Sequence, residues 1–88
     1  MNKRPRAIAP AKYEPADVGA IQAVYAGKAE PHQQQRALEW IMENACGIKE
    51  ISYRSPDEGG YADTAFAEGR RFVGQQIAKL ITTPAKLK

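Results

Sequence analysis

The chain has 88 residues, of which 43% are hydrophobic, and it carries a net charge of +3 and one cysteine. This length allows one domain, the hydrophobic fraction excludes a fully disordered chain, and a lone cysteine excludes an intramolecular disulfide or a cysteine-rich zinc site. No apolar run approaches the roughly 20 residues that span a bilayer, and no apolar segment follows the basic first residues, so we expect no membrane contact and no signal peptide.

Residues 1–15 are predicted to form an extended basic arm. Pro5, Pro10 and Pro15 lie in this segment, and proline removes a backbone donor and disfavours helix in the residue before it. All ten acidic residues lie within 13–69, so both ends of the chain are cationic. Such ends can attract nucleic acid or an acidic protein surface, or they can simply keep a small protein soluble.

A first helix is predicted at about residues 16–26. Pro15 suits a first helical turn, Asp17 favours the positive end of the helix dipole, and Gly27 is a plausible stop. Apolar residues recur at steps of three and four and so share one face: Val18, Ile21, Val24 and Tyr25.

A second helix is predicted at about residues 31–45. Pro31 suits its start and Gly47 its end. Leu38, Ile41 and Met42 form its apolar stripe, and we expect them in the core. Residues 46–60 are predicted to be irregular, with a turn at the paired glycines.

The third and longest helix is predicted at about residues 62–82, followed by a basic tail at 83–88. Spacing places one stripe of this helix towards the core, namely Phe66, Gly69, Val73, Ile77 and Leu80. The chain is therefore expected to be an all-α, three-helix domain over residues 16–82, with an irregular loop before the last helix and flexible termini.

Two glycines within the third helix each cost about 1 kcal/mol relative to alanine, so each needs an offsetting contact. Gly69 lies on the apolar stripe, and we expect another helix of the same chain to cross there. Gly74 lies near Arg70 and Arg71 instead, and close packing within the chain and an assembly contact both remain open for it.

Arg70 and Arg71 form the most prominent basic pair. Paired arginines on a helix can bind phosphate or a partner carboxylate. They can equally be solvated or paired within the chain, since Glu68 lies one turn from Arg71. The sequence does not decide between binding to phosphate, binding to a partner carboxylate, and solvation or pairing within the chain.

No catalytic apparatus is apparent, so we expect no enzyme activity, no cofactor and no metal site. His32 is the only histidine and Cys46 the only cysteine; neither has neighbours that suggest a metal site or an activated nucleophile. A small buried cysteine is the default for Cys46. The glycine pair lacks the lysine and the strand-to-helix context of a phosphate-binding loop.

Two segments of the chain carry a family resemblance. Ala37–Gly47 reads ALEWIMENACG, and the later run Phe66–Gly74 reads FAEGRRFVG. Together they resemble a small domain of tailed bacteriophages, the Bordetella-phage-type small protein family. Its members have a helix that ends in a Cys-Gly-like corner, then a loop, then a helix with an aromatic residue and a Glu-Gly-Arg-Arg-like run. The likeness spans residues 37–81.

The resemblance implies a phage protein of the structural and packaging gene region, with no family active site to transfer. It implies a virion-associated structural or assembly protein that acts through contacts with other phage structural proteins in an oligomeric assembly, located in the virion and in the host cytoplasm during assembly. The candidate partner-binding residues are Arg70, Arg71, Gly74, Lys3, Arg4 and Arg6.

The alternative function is a nucleic-acid-binding accessory in DNA packaging. Basic residues of both ends would then contact phosphates, and such binding weakens steeply with salt. The set comprises Lys3, Arg4, Arg6, Arg70, Arg71, Lys79, Lys86 and Lys88.

Overall fold

The computed structural model describes residues 5–85, and within this range the chain is all-α, as predicted. The three helices are α1 (Pro15–Tyr25), α2 (Pro31–Glu39) and α3 (Gly60–Thr82). A π-helical turn at Trp40–Ala45 continues α2, and a short 3-10 turn at Pro56–Glu58 precedes α3. The predicted contacts of Lys3, Arg4, Lys86 and Lys88 lie outside the described residues.

The starts of α1 and α2 follow the same local chemistry. In each, proline takes the first helical position, where its missing N–H is not needed. The Glu14 N–H donates to the Asp17 carboxylate at 2.8 Å, and the Glu30 N–H donates to the Gln33 side chain at 2.9 Å. These reciprocal caps satisfy backbone donors that the first helical turn leaves free.

The π-helical turn ends the second helical segment at a left-handed glycine. The Cys46 N–H donates to the Ile41 carbonyl at 2.9 Å, which is the i to i−5 pattern of a π-helix. Gly47 then adopts a φ of 63°, and the Ile48 N–H donates to the Met42 carbonyl at 3.1 Å. This corner brings Cys46 and Ile48 against α3.

The core is built from small side chains, and no large side chain among residues 5–85 is fully buried. The buried hydrophobic residues are Ala7, Ala20, Ala37, Cys46 and Ala67. The accessible surface is 6872 Å², about 1,700 Å² more than a compact monomer of this mass exposes. The radius of gyration is likewise 15.3 Å, against about 12 Å for a compact chain of this length.

The structure reverses the predicted orientation of α3. Its buried residues are Asp63, Ala67 and Gly74, which recur at steps of four and seven and so share one side. The predicted core residues Phe66 and Val73 lie on another side and are exposed.

Most of the other predicted core positions are also outside the core. Leu38 and Leu80 are exposed, as is Gly69, whereas Ile41, Met42 and Ile77 are half-buried. Small residues allow α3 to approach the Cys46–Gly47 corner closely, and that approach leaves the larger apolar side chains outside.

The two glycines of α3 exchange the roles predicted for them. No atom of residues 5–85 lies within 4 Å of the position that a Cβ on Gly69 would occupy, so none of the described helices crosses there. A Cβ on Gly74 would overlap the Ile48 methyl group and would lie 2.8 Å from the Cys46 Cβ. Gly74 is therefore a packing residue, which favours the first of the two roles that the sequence left open for it.

Gly69→Ala and Gly74→Ala form a matched pair in one helix. We expect Gly74→Ala to lower the free energy of unfolding by about 1–3 kcal/mol. The added methyl group would clash with the Cys46 Cβ, which is bonded directly to the Cys46 backbone and cannot easily move away. Gly69→Ala should raise it by about 0.5–1 kcal/mol through helix propensity. Urea denaturation followed by circular dichroism measures both, and equal effects of the two variants would contradict the packing at Gly74.

Candidate functional site

The main candidate site is an apolar strip along α3, which we call the α3 outer face. It consists of Phe66, Gly69, Phe72, Val73 and Leu80. Phe66 exposes 46% of its surface and Leu80 exposes 73%. Soluble monomers rarely expose a contiguous apolar patch of more than a few hundred Å², and larger patches commonly mark contact sites.

A buried carboxylate fixes the orientation that leaves this face outward. Asp63, in the first turn of α3, is only 3% exposed. Both of its oxygens accept the Ala7 N–H at 3.0 Å, and the Nε atoms of Arg6 and Arg54 lie 3.3 Å from Oδ1 and Oδ2 respectively. Because a buried charge needs such partners, this side of α3 must face the chain interior.

The same cluster attaches the N-terminal segment to α3. Arg54 Nη1 donates to the Pro5 carbonyl at 3.2 Å, and the Arg54 N–H donates to the Thr64 hydroxyl at 2.8 Å. Gly59, at a φ of 112°, leaves room for this arrangement, because a Cβ there would lie 2.5 Å from the Asp63 Cβ. The first described residues are therefore part of the folded unit.

Two predicted partner-binding arginines are engaged within the chain. Arg6 contacts Asp63, although its side chain remains 60% exposed. Arg70 donates to the Ala45 carbonyl at 3.3 Å and to Glu50 at 2.9 Å, and so neutralises the end of the π-helical turn. These contacts favour the intramolecular pairing that the sequence left open for Arg70, since its guanidinium already has acceptors within the chain.

Arg71 differs from Arg70. It is half-buried, and its Nε is shielded from solvent and has no hydrogen-bond partner within residues 5–85. The two consecutive arginines therefore lie in different environments. Arg71 remains the only arginine of the pair without an identified acceptor in the described part of the chain.

A second polar cluster joins α1 to α2. Arg36 donates to Asp17 at 2.7 Å and to Glu14 at 2.9 Å. The Glu14 N–H and the Arg36 guanidinium hold the pKa of Asp17 below its ordinary value. Trp40 and Asn44 both donate to the Lys12 carbonyl, at 2.9 and 3.3 Å, and these bonds attach the segment before α1 to the π-helical turn.

A groove beside the N-terminal segment collects five basic residues. Their side chains do not form an open cationic surface, because most are paired with acids. Lys49 contacts Glu43 at 3.1 Å, Arg70 contacts Glu50, and two further arginines share Asp63. The basic residues that line the groove are Arg6, Lys12, Lys49, Arg54 and Arg70.

Within residues 5–85, the residue types that commonly bind metal ions do not form a site. Across residues 5–85, no three His, Cys, Asp or Glu side chains are placed to share a metal ion. Cys46 is buried, as predicted, and His32 is exposed on the first turn of α2. Within the same range, no helix combines the length and apolar character needed to cross a bilayer.

Sequence reasoning missed Asp63 and Arg54 as the central ionic contact. Arg54 lies within the loop that the sequence marks only as irregular and Asp63 lies just after it, and no spacing rule joins them to Ala7. The one available signal was an acid in the first turn of α3, which is favourable there without any partner.

Comparison of the chain with protein-family models, curated protein sequences and solved structures gave no match. The resemblance to the small phage family therefore remains a prediction that depends on the residues quoted for it.

The carboxylate cluster predicts how stability depends on pH. Burial raises the pKa of Asp63, but the Ala7 N–H and the guanidinium groups of Arg6 and Arg54 outweigh burial and hold this pKa below its ordinary value. The unfolded chain therefore takes up the proton first. The stabilisation is complete above the unfolded pKa of about 4 and is lost as pH falls towards the folded pKa.

We expect Asp63→Asn to lower the urea midpoint at neutral pH and to flatten its fall between about pH 5 and pH 2. Glu39→Gln, at an exposed position in α2, is the control and should leave both the midpoint and the pH profile close to those of the unaltered chain. Parallel profiles for Asp63→Asn and the unaltered chain would contradict the role assigned to Asp63.

Proposed function

We propose that the chain is a virion-associated structural or assembly protein of a bacteriophage, that it acts through protein–protein contacts, and that it has no catalytic role. The phage assignment is supported by the resemblance of Ala37–Gly47 and Phe66–Gly74 to the small phage family. The contact role is supported by the α3 outer face. On this proposal the chain resides in the virion and, during assembly, in the host cytoplasm.

The single observation that carries the contact role is that α3 exposes its large apolar side chains. Full burial of a large apolar side chain contributes about 1.5–3 kcal/mol, and Phe66, Val73 and Leu80, which expose 46%, 53% and 73% of their surface, would each gain about half to three quarters of that when covered. The chain does not bury them itself, since α3 packs through Asp63, Ala67 and Gly74. A partner surface that covers the outer face would therefore gain several favourable contacts without refolding the chain.

The alternative of DNA binding receives less support. Phosphate binding needs cations that are free to displace counterions, whereas Arg70 is paired with Glu50 and Arg6 contacts Asp63. Within residues 5–85, the other members of the proposed set are Lys79, which is exposed, and Arg71, which is half-buried, so the described part of the chain has a small electrostatic footprint. Protein contacts therefore rank first.

Mass spectrometry of purified phage particles and of assembly intermediates tests the proposed function. We expect peptides of this chain in at least one of these fractions, in a constant ratio to a major structural protein. Its absence from both fractions, while it is detected in the lysate, would overturn the proposal. Salt-sensitive gel shifts with DNA, in place of particle association, would support the alternative instead.

Substitution of the outer face tests whether that surface mediates the association. Val73→Glu places a charge on the face, and we expect at least a tenfold lower particle content, because burying an unpaired carboxylate is costly. Gln75→Glu introduces the same charge at an exposed position two residues further along α3, and it should associate normally. Equal particle content for both variants would exclude the α3 outer face as the contact.

A further inference from the structure

The groove beside the N-terminal segment, which we call the N-terminal groove, is a second surface that can receive a ligand. Its volume is about 840 Å³, within the range of about 300–1,000 Å³ that is usual for ligand sites. Its lining comes from the N-terminal segment, from the π-helical turn, from the loop that follows this turn, and from Arg70 of α3. It shares no residue with the α3 outer face.

The ion pairs of the N-terminal groove leave an excess of positive charge. Two of its bases are each paired with an acid of their own. Arg6 and Arg54, by contrast, share the single carboxylate of Asp63. Lys12 forms no ion pair in the described part of the chain. One charge of the Asp63 cluster and the charge of Lys12 are therefore not neutralised. The neutral pairs are Lys49 with Glu43 and Arg70 with Glu50.

Lys12 is held by its backbone while its side chain stays exposed. Its carbonyl accepts the two hydrogen bonds from the π-helical turn described above. Lys12 also lines a neighbouring cleft that contains acids. There, Glu14 and Asp17 are bound by Arg36, and Glu39 forms no ion pair with Lys12. The ammonium group of Lys12 is thus positioned at the groove and available to an anion.

The arginines of the groove are in place before any ligand binds. Arg54 exposes only 4% of its surface and donates to the Pro5 carbonyl. The Arg70 side chain is 19% exposed and donates to the Ala45 carbonyl. Groups that are already ordered reduce the cost of binding. Because these guanidinium groups are largely covered, an anion must enter the groove to approach them, and a carboxylate on a flexible side chain can do so.

The rest of the lining favours a peptide over a nucleic acid. Ile51 lines the groove and is 74% exposed, and alanines and prolines of the N-terminal segment add further apolar surface. Proteins that bind single strands without sequence preference stack the bases on aromatic side chains, and the lining of this groove contains no aromatic residue. The apolar members are Pro5, Ala9, Pro10, Ala11 and Ile51.

We propose that the N-terminal groove binds an extended segment of a partner protein that carries both acidic and apolar side chains. Its carboxylates pair with Lys12 and with Arg6, which is the more exposed arginine of the Asp63 cluster. Its apolar side chains contact Ile51 and Pro10. The inference goes beyond the proposed function, because it concerns a different surface and does not depend on the phage assignment.

Nuclear magnetic resonance titration of the isotope-labelled full chain tests the proposal. The probe is a short capped peptide that alternates glutamate and leucine. We expect saturable shifts of the Ala11, Lys12 and Ile51 amides with a Kd of about 1 mM or tighter, which corresponds to a weak contact. The same peptide with lysine in place of glutamate should not bind. No saturable shift, or shifts confined to the α3 outer face, would overturn the proposal.

Charge reversal at two lysines separates groove binding from a general charge effect, with circular dichroism to confirm that each variant folds. Lys12→Glu should weaken binding of the acidic peptide by about tenfold or more, because it replaces an attraction by a repulsion. Lys28→Glu makes the same change at an exposed position between α1 and α2, and should stay within about threefold of the unaltered chain because of salt screening. Equal losses in both variants would overturn the proposal.

Removal of a competing acid should strengthen binding. Glu50 accepts a hydrogen bond from Arg70 at 2.9 Å, so Glu50→Gln makes the Arg70 guanidinium more available and should tighten peptide binding by about threefold or more. Glu68→Gln removes the same charge at an exposed position on α3 and should change it by less than about twofold. Equal affinities of these two variants would overturn the placement of the acidic segment in this groove.

A single-stranded oligothymidylate, titrated under the same conditions, tests the other class of anion. We expect it to bind more weakly than the acidic peptide. Tighter binding of the oligonucleotide that Lys12→Glu abolishes would overturn the proposal in favour of a nucleic-acid site.

Discussion

The close approach of α3 to the Cys46–Gly47 corner determines most of this structure. Gly74 permits that approach because no side chain stands between the helix and Cys46, and Ala67 continues the small-residue side. Asp63 extends the same side towards the N-terminal segment, where its carboxylate accepts the Ala7 N–H and contacts two guanidinium groups. The helix therefore uses small and ionic residues for its internal contacts.

This constraint leaves the larger apolar residues of α3 for another surface. An 88-residue chain with a core of alanine and one cysteine has little buried area from which to gain stability. A partner that binds only the folded chain would add to that stability by mass action. Assembly and folding stability are thus linked through the same face, which is the physical basis for proposing a contact role.

The sequence predicted the helices well and the faces of α3 poorly. Pro15, Pro31 and Gly47 mark helix ends through local chemistry, so the predicted and observed bounds agree closely. Periodicity also locates a stripe at Phe66 and Val73 correctly, but it cannot say whether the same chain covers that stripe. The small-residue side and the contact between Asp63 and Arg54 depend on residues distant in sequence, and no local pattern reports them.

Nuclear Overhauser effects measured on the isolated, isotope-labelled chain test the central claim most directly. The claim is that α3 packs within its own chain through Asp63, Ala67 and Gly74 and leaves Phe66, Val73 and Leu80 outside. The account predicts contacts from the Gly74 protons to the Ile48 methyl group and to Cys46. Contacts from Phe66 or Val73 to α1 or α2 of the same chain, in place of these, would contradict it.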